Sequence, residues 1–521
     1  MEAAVTLTSF GAGIVGVFIV LGLVGSLLLN WLWFRPKTSE TCLRQQGFKG
    51  NSYRLLMGDA AELGKASQEA KCRPISIDDD IVPRILPYHC RTIKKYGNDS
   101  FIWVGPSPFV NITNPDQIKE VLNKMYDFQK PTYSPLAKYL LCGLPMHEGE
   151  KWVKHRKIIN PAFHAEKLKL MLPAFYQCCE EMINKWKAQL SERDSCELDV
   201  WPSIHSLTGD VISRTAFGSS YEDGKKIFQL QVEQAELTAK VITSFYIPGM
   251  RFIGTKRNRR MKEIEDEIQG LVRGIINSRE KGKNAGEAPR DDLLGMLLES
   301  NYKEIQQHGN NKNCGMTIAD IIEECKIFYF AGQETTSLLI NWTLVLLSRF
   351  PHWQQRAREE VMQVFGTKKP DYDGLNRLKV VPMILYEVLR LYPPAPLLTR
   401  YLPKETKLGN LTLPAGTRIW VPVIMVHHDR ELWGNDAKEF NPERFSEGVV
   451  KATNGQVSFF PFSWGPRICI GQNYAMMEAK MALSLILQNF SFELSPSYAH
   501  APYMVLTLVP QFGTHIILHK L

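Results

Sequence analysis

Phe462-Ser-Trp-Gly-Pro-Arg-Ile-Cys-Ile-Gly471 is the stretch on which the reading of this chain turns. Two glycines and a proline surround Cys469, and a strong helical pattern begins just after the loop, at about Gln472. The sulfur is therefore expected at a helix N-terminus with Arg467 two residues away, and both features favour the thiolate. A thiolate is either a nucleophile or a metal ligand. The nucleophile needs a His or Asn partner that spacing cannot locate, and the stretch lacks the local signatures of cysteine proteases. The ligand needs one soft donor in a tight loop with backbone N–H groups aimed at the sulfur, and glycines permit that loop. A single cysteine as the only protein ligand points to haem iron, whose porphyrin supplies the four equatorial donors.

Upstream, Thr317 with Asp320 three residues on makes a start like a capping box, and Pro351 closes the helical pattern after Phe350. The interior of this long helix, Cys325-Lys-Ile-Phe-Tyr-Phe-Ala-Gly-Gln-Glu-Thr-Thr336, is apolar and then abruptly polar. Gly332 costs ~1 kcal/mol relative to Ala in a helix, and Thr335 and Thr336 can bond back to carbonyls of the preceding turn and bend it. An acid, two hydroxyls and a glycine at the centre of a core helix form the kind of local inconsistency that functional sites produce. The plainer alternative is a tolerated irregularity with Glu334 reaching solvent. Glu387 and Arg390 lie three apart on another helix, which also describes a routine surface pair. Trp152 and Arg156, four apart, share a face whose indole N–H and guanidinium suit an anion such as a haem propionate, or simply pack.

The chain has 521 residues, 44% hydrophobic and 22% charged, the composition of a globular protein and not of a disordered one. Its 62 Lys and Arg against 54 Asp and Glu leave +8, too mild and too even for a nucleic-acid binder. Ten cysteines include no C-x-x-C pair and no zinc spacing, so reduced thiols are the expectation. From Ala3 to Phe34 no residue is charged, Trp31 and Trp33 suit an interfacial belt, and Arg35 and Lys37 follow at once. One transmembrane helix is expected, with residues from 35 onward in the cytosol. GAGIVG at 11–16 matches the dinucleotide fingerprint only formally, since no strand precedes it.

Three parts follow: a membrane anchor over 1–34, a linker over 35–50 and one body over 51–521, mainly α with small β-sheets. Helical periodicity runs over 115–125, 151–190, 203–216, 226–246, 258–282, 317–350, 352–365, 376–391 and 471–489. Strand-like pieces fall at 101–104, 109–112, 406–413, 418–423, 505–509 and 513–518, and polar stretches at 280–291 and 303–316 read as surface loops. The basic run at 255–262 reads as a solvated helix start, with membrane contact as the alternative.

Taken together, these motifs resemble a cytochrome P-450 over essentially the whole chain and in the right order. Phe462-x-x-Gly465-x-Arg467-x-Cys469-x-Gly471 matches the haem-binding loop at every defining position, and Ala331-Gly332-x-Glu334-Thr335-Thr336 matches the oxygen-activation motif. Glu387-x-x-Arg390 and Phe440-Asn-Pro-Glu-Arg-Phe445 match two structural motifs, and Trp152-x-x-x-Arg156 a propionate-binding helix. LRQQGFKGNSYR at 43–54, KWVKHRKIINPAFHAEKLKLMLPAF at 151–175 and PQFGTHIILHKL at 510–521 look like the plant group that includes secologanin synthase. Members of that group oxidise iridoids, pentacyclic triterpenoids and gibberellin-type diterpenoids. The anchor junction departs from the usual Pro-rich hinge, with only Pro36 beside Phe34 and Arg35.

The resemblance implies the P-450 fold and haem b with Cys469 as axial thiolate. Phe462 would shield the sulfur, Gly465 would belong to the haem loop, and N–H groups around Gly471 would tune the sulfur. Arg467, Arg156, Trp152 and Arg400 would hold the propionates. Glu334 and Thr335 would relay protons to bound dioxygen. Glu387, Arg390 and Arg444 would form a buried triad. The implied activity is monooxygenation of a lipophilic terpenoid, triterpenoid favoured, on the endoplasmic reticulum membrane, with electrons from NADPH through NADPH–cytochrome P-450 reductase. Lys154 and Lys157 would be a landing site for that acidic partner. The loop at 128–147, the helix face before Ala331 and Ala395–Thr399 would line an apolar pocket. A haem-thiolate isomerase or dehydratase needing no reductase is a competing reading, as is a non-catalytic haem or sterol binder. The intact acid–Thr pair and cysteine loop speak against both.

Overall fold

A computed structural model of the chain describes residues 2–190, 194–218, 221–242, 254–284 and 291–521. Its axis is the helix Ile318–Arg349, here the central helix. Thr317 accepts the Asp320 amide and Asp320 accepts the Thr317 amide, so the capping box is complete, and Phe350 and Pro351 end the run. Most of its side chains are buried, from Ile321 to Ser348, as expected for a helix that crosses a domain rather than lying on it.

Other helices pack around that axis: Gly149–Ile159, Ala165–Leu190, Trp201–Phe217, Tyr221–Ile242, Lys256–Asn284, Val380–Leu391 and Gln472–Asn489. Helix Trp201–Phe217 approaches most closely at Gly332. A Cβ there would meet Ile212 Cδ1 and Cγ1 at 2.8 Å and force that side chain to shift, so close packing favours the glycine despite its helix-propensity cost.

A four-stranded sheet lies to one side, with strands β1 (Phe101–Val104), β2 (Ser107–Asn111), β3 (Leu398–Tyr401) and β4 (Arg418–Val421) in the order β1-β2-β4-β3. The β2–β4 pair is parallel and the others antiparallel. A three-stranded sheet sets His515–Lys520 between Ser195–Asp199 and Phe490–Leu494. Hairpins join Thr406–Leu408 to Leu411–Leu413 and Pro502–Met504 to Leu508–Pro510. A second, smaller core, including Phe101, Trp103, Val110, Ile419 and Phe460, fills the space beneath the four-stranded sheet.

The main helices and most strands fall where periodicity places them, and the body is mainly α with small sheets as expected. Several segments differ. Helix Lys256–Asn284 continues into the stretch read as a loop from 280, and Leu293–Gln307 takes up 303–307, because Leu293, Leu294, Met296, Leu297 and Asn301 bury one face. Helices at Ala60–Lys71 and Pro87–Tyr96 and strands at 195–199, 398–401 and 490–494 are further elements that the periodicity does not announce, the strands being only four or five residues long. The helical pattern at 226–246 holds through Ile242, while 243–246 and 285–290 lie outside the described residues.

At the N-terminus, helix Glu2–Leu29 passes through a wide π turn, Asn30–Phe34, into helix Arg35–Gln45. Gly16–Gln45 is long and apolar enough to cross a bilayer, with mean hydropathy 2.1, and its apolar window is unburied by the body. The expected linker at 35–50 is thus helical through Gln45. Pro36 is tolerated in its first turn. This helix is strapped to the body. Glu40 accepts the Tyr53 amide at 3.2 Å, Arg44 donates to the Gly50 carbonyl at 3.0 Å, and Tyr53 hydroxyl donates to the Leu32 carbonyl at 2.8 Å.

Candidate active site

The cysteine loop is built by its own backbone. Ser463 and Gly465 take positive φ of 65° and 72°, a tight 3₁₀ turn spans Gly465–Arg467, and the Cys469 amide donates to the Phe462 carbonyl at 2.9 Å. A Cβ on Gly465 would meet Asn123 Oδ1 at 2.5 Å and the Leu122 carbonyl at 2.9 Å, so the turn needs glycine for both φ and space. Gln472 opens the following helix, as the sequence suggests.

The loop hangs on a buried polar network. Arg390 pairs with Glu387 through Nε–Oε2 at 2.8 Å and Nη2–Oε1 at 2.6 Å, both residues fully buried. Arg444 reaches Glu387 Oε1 at 3.7 Å and Asp436 at 2.8 Å, completing the expected triad with Asp436 added. Arg390 also donates to the His427 carbonyl at 2.7 Å. Burial, with Arg390 adding to it, pushes the His427 imidazole well below its ordinary value, so it is neutral. Its Nε2 accepts the Phe460 amide at 3.1 Å, which puts its proton on Nδ1, toward the Arg390 carbonyl. The triad therefore holds the backbone nine residues before Cys469.

Ala331, midway along the otherwise buried central helix, is exposed, and so are Ile468 and Cys469. Exposure at this depth marks an internal space. Phe163 bridges its walls, lying against Phe328 of the central helix and 3.9 Å from the site of a Gly471 Cβ, itself 3.9 Å from the sulfur. The surrounding protein mass pushes the Cys469 thiol up, while the Gly471 amide and then Arg156 pull it down. The helping cation is thus Arg156, whose Nη1 donates to the Ile468 carbonyl at 2.9 Å. Arg467, expected in that role, turns away to Glu148 at 2.6 Å and the His147 carbonyl at 2.9 Å, with its guanidinium 4.9 Å from the Trp152 ring centre.

Glu334 faces neither bulk solvent nor an empty interior. Thr507 Oγ1 donates to its Oε1 at 2.8 Å, and His205 Nε2 lies 3.2 Å from Oε2. Thr335 bonds back to the Ala331 carbonyl at 2.8 Å, and the Thr208 hydroxyl donates to the Gln333 carbonyl at 3.0 Å, so the polar groups at the helix centre are engaged while the helix runs on unbroken.

A large planar dianion fits what is present. Arg400 Nη2 and Arg467 Nε are buried without protein partners. Lys130, Arg400 and Arg467 share one interior region with a single acid, Glu148. The Arg400 and Arg467 guanidiniums outnumber that one carboxylate, and burial together with these two pushes the Lys130 ammonium down, so the region lacks negative charge of the kind two propionates would bring. The lone soft donor Cys469 suits an iron ligand. Lys130, Glu148, His205, His427 and Thr507 were not legible in the sequence, because each acts on a partner far away in the chain. Lys154 and Lys157, read as a landing site, are engaged within the protein: Lys154 with the Gly315 carbonyl at 2.9 Å and Lys157 with Glu304 at 2.7 Å.

The sequence profile of the cytochrome P450 family matches residues 85–513, and the chain belongs to that family. It is an oxidoreductase of the haem-thiolate monooxygenase type. Among its relatives, cytochrome P450 CYP72A219 of Panax ginseng is 58% identical over 522 residues, covering 100% of both chains. Cytochrome P450 72A15 of Arabidopsis thaliana is 58% identical, covering 95% of each. The 7-deoxyloganic acid hydroxylase of Catharanthus roseus is 57% identical over 95% of this chain and 96% of its own. The resemblance to the plant terpenoid-oxidising group holds against these relatives.

Proposed function

We propose that this chain inserts one oxygen atom from dioxygen into a C–H bond of a lipophilic plant terpenoid. In this reading the N-terminal helix holds it in the endoplasmic reticulum membrane with the body in the cytosol, and electrons come from NADPH through a separate reductase. The observation that carries the reading is the exposure, inside the body, of both Cys469 and Ala331 at the middle of the central helix. A relative named for hydroxylating an iridoid acid supports the terpenoid class.

Haem, when bound, would supply the oxidising chemistry, and Cys469 would hold its iron as the thiolate. Burial pushes the free thiol up, the Gly471 amide and Arg156 pull it down, and coordination would favour the deprotonated form. Phe462 and the Gly471 amide shield and tune the sulfur, and Gly465 shapes its loop. Arg400, Arg467 and the Trp152–Arg156 helix hold the propionates, with Lys130 beside them. Glu334 is placed to hold and pass a proton: its Oε2 accepts a hydrogen bond from His205 Nε2–H while Thr507 fixes Oε1, and the Thr335 hydroxyl stands one residue along the same turn. Glu387, Arg390 and Arg444 keep the cysteine loop in register through His427.

The test is NADPH-dependent product formation in microsomes carrying this chain and a plant reductase, offered an oleanane triterpenoid, a gibberellin precursor and an iridoid acid. A product heavier by one oxygen supports the reading and names the scaffold, with the triterpenoid favoured. No product from any of the three, with a thiolate-type carbon monoxide spectrum intact, overturns the substrate reading.

A further inference from the structure

Arg418 places a guanidinium on the four-stranded sheet with no carboxylate partner among the described residues. It opens β4, pairs across with Tyr401 of β3 and lies beside Phe109 of β2. Directly opposed residues share a face of a sheet, so Arg418, Tyr401, Thr399 and Trp420 stand on one face, while Arg400 and Ile419 point to the other, toward the propionate cluster. The guanidinium lies 5.4 Å from the Phe109 ring centre, and its Nε is buried without a hydrogen-bond partner. Among the described residues no carboxylate comes within ion-pair distance of it.

Two hydroxyls converge on the same place. Tyr133 comes from the loop expected to line the pocket and Thr399 from the stretch expected to face it, and their oxygens are 3.2 Å apart. That loop is zipped to β3, with Gln129 and Tyr401 exchanging backbone hydrogen bonds at 3.0 and 2.7 Å. Tyr133 and Tyr401 are the groups that act on the charge of Arg418, while burial pulls its pKa down. A half-desolvated guanidinium beside two hydroxyls and an apolar wall of Phe109 and Trp420 matches a carboxylate on a lipophilic body.

We propose that Arg418, with the Tyr133 and Thr399 hydroxyls, is an anion subsite that receives the carboxylate of an acidic terpenoid and orients its scaffold over the haem. This deepens the proposed function and rests on its terpenoid reading. A haem propionate carries the same chemical group, but Arg400 and Arg467 already offer guanidiniums to those from the other face.

The experiment uses the full haem-loaded chain in microsomes and measures equilibrium binding of an iridoid acid and an oleanane acid, each beside its methyl ester, together with haem content. The wild type is expected to bind at least one acid well over its ester. Arg418→Gln should weaken acid binding about 10- to 100-fold, leave ester binding and haem content unchanged, and be partly restored by Arg418→Lys. Tyr133→Phe, a smaller change that keeps the ring, should weaken acid binding several-fold. Acid and ester bound alike by the wild type would overturn the subsite and leave the terpenoid reading standing. Haem loss in Arg418→Gln would assign the guanidinium to a propionate and overturn it too. Failure of all four compounds to bind the loaded wild type would overturn the terpenoid reading along with it.

Discussion

The Phe460 amide donates to His427 Nε2 at 3.1 Å, inside a core that keeps the imidazole neutral. Through this contact a buried ion pair on one helix steadies the loop that carries Cys469. Replacing His427 by Phe removes the acceptor and leaves a buried amide unsatisfied, at about 1–3 kcal/mol. The expected result is lower haem retention and a lower melting temperature. Unchanged haem occupancy with an unchanged melting temperature would show that the loop does not depend on this contact.

Glu387 and Arg390 are both fully buried and doubly bonded. Glu387→Ala strands the guanidinium and should destabilise the fold by about 3–5 kcal/mol, seen as a large drop in the urea midpoint. An apolar pair, Glu387→Leu with Arg390→Met, should recover part of that loss, because no charge remains buried.

Glu324 of the central helix accepts His155 Nδ1 at 2.6 Å and the Leu144 amide at 2.9 Å, with His147 Nε2 at 3.5 Å. Burial works against its charge, but these hydrogen bonds outweigh it and hold the carboxyl below its ordinary value. The folded state thus binds this proton less readily than the unfolded one. Its contribution to stability is complete above the ordinary value, about pH 4.3, and fades as pH falls further. Thermal unfolding from pH 7 to pH 3 should show a steeper acid decline in the wild type than in Glu324→Gln, which should already be less stable at pH 7.

Glu478 behaves in the opposite sense. Burial pushes its carboxyl far up, only partly offset by Thr336, and neither oxygen meets the geometry of a hydrogen bond. A raised value contributes stability that is full below the ordinary carboxylate range and is lost as pH climbs toward the folded value. Glu478→Gln should therefore be as stable as the wild type at pH 4 and more stable at pH 8. A destabilised Gln variant at pH 8 would mean that the carboxylate has an ionic partner.

If the His205 Nε2–H hydrogen bond positions Glu334 for proton delivery, His205→Phe should slow NADPH-driven product formation about 10-fold or more and alter its pH profile, while carbon monoxide binding stays normal. Glu334→Gln should do the same with a larger effect. A wild-type pH profile in His205→Phe would remove the histidine from the route.

What the sequence disclosed was local. The cysteine loop, the capped central helix with its polar middle and the Glu387–Arg390 pair each lie within a few turns of chain, so spacing alone exposes them. Partners that meet only on folding stayed hidden: His205 is 129 residues from Glu334, and Thr507 is 173. Arg467 illustrates the limit differently. Proximity in sequence suggested that it helps the sulfur, whereas Glu148 draws it away and Arg156, from a distant helix, takes its place. Strands 195–199 and 490–494 are each only five residues long, the second running straight on from helix Gln472–Asn489, and they become a sheet only by pairing with His515–Lys520.

The unbroken passage from the apolar span into helix Arg35–Gln45, locked to the body by Tyr53, Glu40 and Arg44, makes the anchor a mast rather than a tether. A body on a mast cannot roll freely over a lipid surface, so its tilt and its height above the headgroups are set by the same few contacts. On the proposed membrane reading, loosening Tyr53 would change which face of the enzyme meets the bilayer without touching a single atom of the site.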